Sequence, residues 1–108
     1  MANKFGARKT VVDGLRFDSM AEARRYRELR MMEKAHLIDE LEMQPPFPIT
    51  VNGHYICLYR ADFRYRDRET GEWVVEDVKG VRTAEYKIKR KLMKAVLGID
   101  IVEIPARP

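Results

Sequence analysis

Apolar residues recur along this chain with two periods, and each change of period marks the edge of an element. Thr10 to Val12 and Leu15 to Phe17 flank Asp13-Gly14, a two-residue link that predicts a tight β-hairpin. From Asp18 or Ser19 to about Ala35 and His36 the spacing is helical, with an inward stripe of Tyr26, Leu29 and Met32 or Glu33. Leu37 to Gln44 reads as a strand, closed by Pro45, Pro46 and Pro48, a linker-like stretch that cannot continue a central ladder.

Asn52-Gly53 marks a turn before a long strand from about Tyr55 to Arg66. Cys57, Tyr59, Ala61, Phe63 and Tyr65 form its apolar face. Ile56, Leu58, Arg60, Asp62, Arg64 and Arg66 form the other, which turns charged partway along. A turn over Arg68, Glu69, Thr70 and Gly71 leads to a strand from Trp73 to Lys79. Trp73, Val75, Asp77 and Lys79 share one face of it, and Val74, Glu76 and Val78 the other. This register sets Asp67 against Glu72 and therefore Asp62 against Asp77. Directly opposed Cβ atoms stand about 4.5–5.5 Å apart, where like charges destabilise the pair.

Thr83 caps a second helix that runs to about Leu97, Gly98 stops it, and Ile99 to Ile104 forms a last strand. The inward stripe of this helix reads as Ala84, Ile88, Leu92, Ala95 and Val96. Tyr86, Met93 and Leu97 make a second apolar line, either satellite core or a contact with a second subunit. The expected class is α+β, grading to α/β if the last strand joins in parallel: an N-terminal β-hairpin, a helix, a three-stranded meander, a helix and a strand.

At 108 residues the chain accommodates one core, with residues 1–9 as a basic arm and 10–108 as the folded domain. An apolar fraction of 45% excludes disorder as the default. The formal charge of +4 is modest, yet the bases cluster in Lys4 to Lys9, Arg60 to Arg68 and Lys87 to Lys94, which favours nucleic acid as partner. Cys57 is the sole cysteine, so an intramolecular disulfide is excluded, and no apolar run is long enough to span a membrane. An intracellular protein is expected.

Asp62, Asp77 and Lys79 are the candidate chemistry. Two carboxylates suit a hard cation, Mg²⁺ in particular, whose remaining positions are filled by water and substrate phosphate. His36 and His54 lack the paired spacing that zinc needs. A dication beside a basic surface activates water and stabilises a leaving alkoxide, and Lys79 would offset charge on the phosphorus oxygens. Glu22 lies one turn before Tyr26 on the inward stripe; it also completes a Ser19-x-x-Glu22 capping box, a sufficient reason for its presence. Gln44 either supports the site or merely ends its strand. Lys87, Arg90, Lys91 and Lys94, with Arg60 and Arg64, are candidate phosphate contacts or a solvated charged face. Lys4, Arg8 and Lys9 either reach DNA as an arm or stay loose.

The stretches VVDGLRFDSMAEARRY, LEMQP, YRADFRY and VVEDVKG resemble the PD-(D/E)XK nuclease superfamily, especially small phage-encoded endonucleases similar to Holliday junction resolvases. The resemblance runs from about Lys9 to Glu103 and rests on the ordered set, since a D-x-K triplet recurs by chance. It implies a restriction-endonuclease-like core and a metal held by Asp62, Asp77 and the Val78 carbonyl. It also implies Lys79 as catalytic lysine and Glu22 as a carboxylate binding metal directly or through water. It implies Mg²⁺, with Mn²⁺ able to substitute, a branched or junction DNA substrate, a homodimer with one site per subunit, and a phage or prophage gene expressed in a bacterial cytoplasm. Ala61 departs from the proline that the pattern names before the aspartate. A nicking, mismatch or restriction-like enzyme on linear duplex, and a non-catalytic DNA-binding module, are the alternatives.

Overall fold

Asp13 and Gly14 both take positive φ, 52° and 75°, which matches the right-handed twist of a two-residue hairpin between β1 (Thr10–Val12) and β2 (Leu15–Phe17). The structure is a computed structural model that describes residues 9–106. Lys4 and Arg8 of the expected basic arm lie outside the described residues; Lys9 is exposed.

Helix α1 (Met20–Lys34) starts where expected, with the Ser19 hydroxyl accepting the Glu22 N–H at 3.1 Å. Ala23, Tyr26 and Leu29 are its buried residues, of which Tyr26 and Leu29 lie on the stripe read from spacing. They pack with Phe17, Ile38, Phe63 and Tyr65 into one hydrophobic cluster. Strands β3 (Ile38–Met43), β6 (Phe63–Asp67), β7 (Trp73–Lys79) and β8 (Ile101–Pro105) form a four-stranded sheet in the order β3-β6-β7-β8. β3, β6 and β7 pair antiparallel. β8 joins β7 in parallel after the crossover through α2 (Ala84–Leu97), which Thr83 caps and Gly98 ends at φ 70°.

Three expectations are corrected. The run after Gln44 is not a linker: Pro46–Val51 is a strand, β4, paired with β5 (His54–Arg60) in a separate two-stranded sheet. Pro46 and Pro48 are exposed on it while Phe47 and Ile49 are buried, because an outer strand needs no N–H from those positions. The long strand from Tyr55 to Arg66 is interrupted at Ala61 and Asp62, so β5 and β6 serve different sheets. The phase of α2 is rotated as well: Leu92 of the expected stripe packs against the core, but the stripe's other members do not lead it. Tyr86 and Met93 are its buried residues, packed with Phe47, Ile49, Tyr59, Val75 and Ile101, whereas Ile88 is 60% exposed. The large side chains on the Tyr86 side fill the space between the sheet and the β4–β5 ribbon, a contact that helical period alone does not reveal. Among the described residues no helix is long and apolar enough to cross a membrane.

Candidate active site

The hairpin turn sets up the site. Asp67 N–H donates to the Glu72 carbonyl at 2.8 Å, so the β6–β7 register begins as the turn predicts and continues through Phe63 opposite Glu76. Asp62 then leaves the ladder. Its N–H donates to the carbonyl of Glu76, the residue Phe63 already faces, so two residues of one strand stand against one of the other, as in a β-bulge. The direct opposition of Asp62 and Asp77 is therefore corrected. Instead the Asp62 carboxylate turns back and its Oδ2 accepts the Val78 N–H at 2.7 Å, between Asp77 and Lys79.

Glu22 comes to the same place from the first turn of α1. It lines a cavity of about 180 Å³ with Asp62, Gln44, Arg16 and Phe17. Burial first, then the hydrogen bond and charge of Asp62, push the Glu22 carboxyl up to about 8. Ser19 receives the Glu22 N–H, and the Glu22 carboxyl engages both the Asp62 carboxylate and the Ser19 side chain, so its place at the cap does not keep it from Asp62. Gln44 takes φ 52°, its N–H donates to the Asp62 carbonyl at 2.8 Å, and its own carbonyl accepts from Arg60 at 3.1 Å. Gln44 and Arg60 thus brace the backbone that presents Asp62.

Asp77 and Lys79 occupy the face of β7 turned to α2. Asp77 is 3% exposed, its Oδ2 has no hydrogen-bond partner among the described residues, and Lys79 Nζ stands 3.9 Å from its Oδ1. Burial pushes the Asp77 carboxyl up to about 6 against the opposing charge of Lys79. Lys79 Nζ also lies 4.1 Å from the centroid of the Tyr86 ring. Tyr86 donates its hydroxyl to Glu103 at 2.7 Å, and Arg82 and Arg90 bind the same carboxylate at 2.8 and 3.2 Å. The Arg82 hydrogen bond, then Tyr86 and Arg90, hold Glu103 down to about 2 despite its burial.

Glu76, the neighbouring acid, faces the other way. Arg25 grips it with two nitrogens at 2.8 and 2.6 Å and the Tyr65 hydroxyl donates to it. A carboxylate so satisfied is a structural anchor between α1 and the sheet. Asp77 is buried as well, but on the opposite face of β7 from Glu76, and among the described residues its Oδ2 has no hydrogen-bond partner. The network itself was not read from the sequence, because Arg25 and Glu76 stand 51 residues apart and meet only once α1 packs on the sheet.

Glu22 and Asp62 thus come together directly, as do Asp77 and Lys79, and the Val78 peptide joins the two pairs. Among the described residues no three acidic, histidine or cysteine side chains converge as a complete metal cage. The donors nonetheless fit Mg²⁺, which needs only one or two carboxylates from protein. The buried, unpartnered Asp77 Oδ2 is the atom such a cation would satisfy.

Of the basic residues, Lys87, Arg90, Lys91 and Lys94 line one cleft of about 380 Å³ beside Ile99 and Asp100. Arg90 and Lys94 are engaged there with Glu103 and Asp100, while Lys87 and Lys91 have no ion-pair partner among the described residues. Arg64 is tied up in the fold: it pairs with Glu42, and its guanidinium lies 5.2 Å from the Trp73 ring centroid.

The profile of a family described as a protein of unknown function (DUF1064) matches residues 2–98. No curated protein matches the chain.

Proposed function

The chain belongs to the DUF1064 family, and we propose that it is a divalent-metal-dependent endonuclease that hydrolyses phosphodiester bonds of branched DNA, a four-way junction being the first substrate to try. The observation that carries this reading is the bond from Val78 N–H to Asp62 Oδ2 at 2.7 Å, which ties the Asp62 carboxylate to the backbone between Asp77 and Lys79. Glu22 and Asp62 line one cavity, and Asp77 and Lys79 flank the peptide that Asp62 holds. The order α1, β3, β6, β7, α2, β8, an antiparallel meander closed by a parallel crossover, supports a restriction-endonuclease-like core and with it the PD-(D/E)XK resemblance.

Mg²⁺, or Mn²⁺ in its place, would be held by Asp77 and Asp62, with the Val78 carbonyl and Glu22 as further oxygen donors. When bound it supplies Lewis acidity toward the phosphate and lowers the pKa of water. The chain's own residues do the rest. Asp62 is kept in one orientation by the Val78 N–H, so no side-chain freedom need be lost when ligand arrives. Lys79, held beside Asp77 and over the Tyr86 ring, carries its charge toward the phosphorus oxygens and positions the attacking water. Glu22, whose carboxyl is pushed up to about 8 by burial and by Asp62, must give up its proton before it can serve as an oxygen donor, which links cation binding to pH. Cutting two opposed strands suits a twofold dimer with one site per subunit.

The reading is tested with a labelled four-way junction and its matched linear duplex in Mg²⁺. Cleavage of the junction in preference to the duplex, abolished by a chelator, is expected. A junction left intact in both Mg²⁺ and Mn²⁺ would refute it.

A further inference from the structure

Trp73, the only tryptophan of the chain, is 54% exposed although it begins a central strand of the sheet. It stands at the wall of the largest of the described cavities, about 700 Å³, whose lining includes Phe47, Arg64, Glu72 and Asp100. Arg64 fills the space between the two aromatic rings, 5.2 Å from the Trp73 centroid and 5.9 Å from that of Phe47. The indole is thereby held from one side and left open on another. An exposed aromatic plane fixed by packing is a stacking platform, because ordering it adds little further entropy cost.

The neighbouring cleft supplies the second element. The cavity lined by Lys87, Arg90, Lys91 and Lys94 shares Ile99 and Asp100 with the Trp73 cavity, so the two adjoin across that short segment. One is cationic and the other aromatic with carboxylates at its rim. The Asp100 carboxylate is neutralised by Lys94 at 2.8 Å, which lowers its repulsion of a phosphate passing between them. Glu72 is exposed at the far edge and can accept from the amino edge of a base. Phosphates suit the first cleft and an unstacked base the second.

We propose that Trp73 stacks an unpaired nucleobase of a single-stranded DNA segment whose phosphates lie along Lys87 and Lys91. Arg90, which shares Glu103 with Tyr86 next to Lys79, links this track to the candidate active site. The inference deepens the nuclease reading by naming single-stranded DNA near a branch point as the recognised element, and it takes from that reading only the class of ligand.

The test uses the whole chain, a single-stranded oligodeoxynucleotide of about ten residues, an abasic strand of the same length, and Trp73 fluorescence with the anisotropy of an end-labelled strand. The base-bearing strand should quench the indole saturably, and the abasic strand should bind without quenching. Trp73→Ala should weaken binding of the base-bearing strand roughly 5- to 100-fold, with Trp73→Phe staying close to the parent protein. No quenching, or Trp73→Ala binding within about twofold of the parent while its circular dichroism is unchanged, would overturn the proposal. Junction cleavage is measured on the same samples: quenching without cleavage overturns the nuclease reading alone, and cleavage without quenching overturns the stacking site alone.

Discussion

Oδ2 of Asp62 accepts the backbone N–H of Val78 at 2.7 Å, although the strand register leads one to expect Asp62 facing the side chain of Asp77. The carboxylate replaces a ladder carbonyl and so has a structural task besides any chemical one. Asp62→Asn retains an oxygen acceptor and should leave stability nearly unchanged. Asp62→Leu strands the Val78 N–H and should lose about 1–3 kcal/mol. Urea unfolding of the two variants separates these tasks; equal destabilisation by both would show that the loss does not come from removing the acceptor of the Val78 N–H.

Glu22 and Asp77 make the metal-free protein less stable as pH rises. Their folded values, about 8 and about 6, lie above the ordinary 4.5 and 3.8, so the folded state holds protons that the unfolded chain has released. Stability from Glu22 is whole below about pH 4.5 and is lost as pH climbs toward 8. Glu22→Gln should therefore raise Tm at pH 8 by roughly 5 °C and leave it unaltered at pH 4. A flat difference between the two pH values would count against this.

Mg²⁺ bound as proposed would compete with the same protons. Its stabilising effect should be larger at pH 8 than at pH 5, since Asp77, pushed up to about 6, is mostly protonated at the lower value. Thermal unfolding with excess Mg²⁺ and with chelator at both pH values reads the difference directly. A pH-independent increment would point to cation binding away from these carboxylates.

Glu103 behaves in the opposite sense. Arg82, Tyr86 and Arg90 hold its folded value at about 2, below the ordinary 4.5, so its contribution is whole above about pH 4.5 and disappears as pH falls toward 2. Glu103→Gln should flatten the acid limb of the stability curve over that window. An unchanged acid limb would mean that the three partners do not act on Glu103 in solution.

Arg25 and Glu76 make a buried pair whose two halves are unequal to lose. Arg25→Met leaves a carboxylate that is 1% exposed facing only Tyr65, and about 3–5 kcal/mol should be lost. The double variant Arg25→Met, Glu76→Met should recover most of it, because the uncompensated charge is gone. Chemical unfolding of single and double variants decides; additive losses would contradict the pairing.

The β6–β7 hairpin was legible from its turn residues, and so was the row Trp73, Val75, Asp77, Lys79, because a period of two leaves one choice once Gly71 places the turn. The first helix was equally legible, since the Ser19 cap and the Tyr26, Leu29 stripe agree. The phase of α2 was not: Tyr86 and Ile88 are both apolar, and only the β4–β5 ribbon, hidden in a proline-rich stretch, makes Tyr86 the buried one. The bulge at Asp62 was also invisible, because a residue slips out of a ladder through its backbone and leaves no mark in side-chain pattern. Glu103 and Arg25 act through partners distant in sequence, which no local spacing announces.

Cleavage by the Asp77→Asn and Lys79→Met proteins tests the central claim most directly. Single-turnover cleavage of a labelled four-way junction in Mg²⁺ is measured alongside junction binding by anisotropy. The account predicts that each variant binds within a few-fold of the parent and cleaves at least about 100-fold more slowly. Cleavage at the parent rate by Asp77→Asn would contradict it.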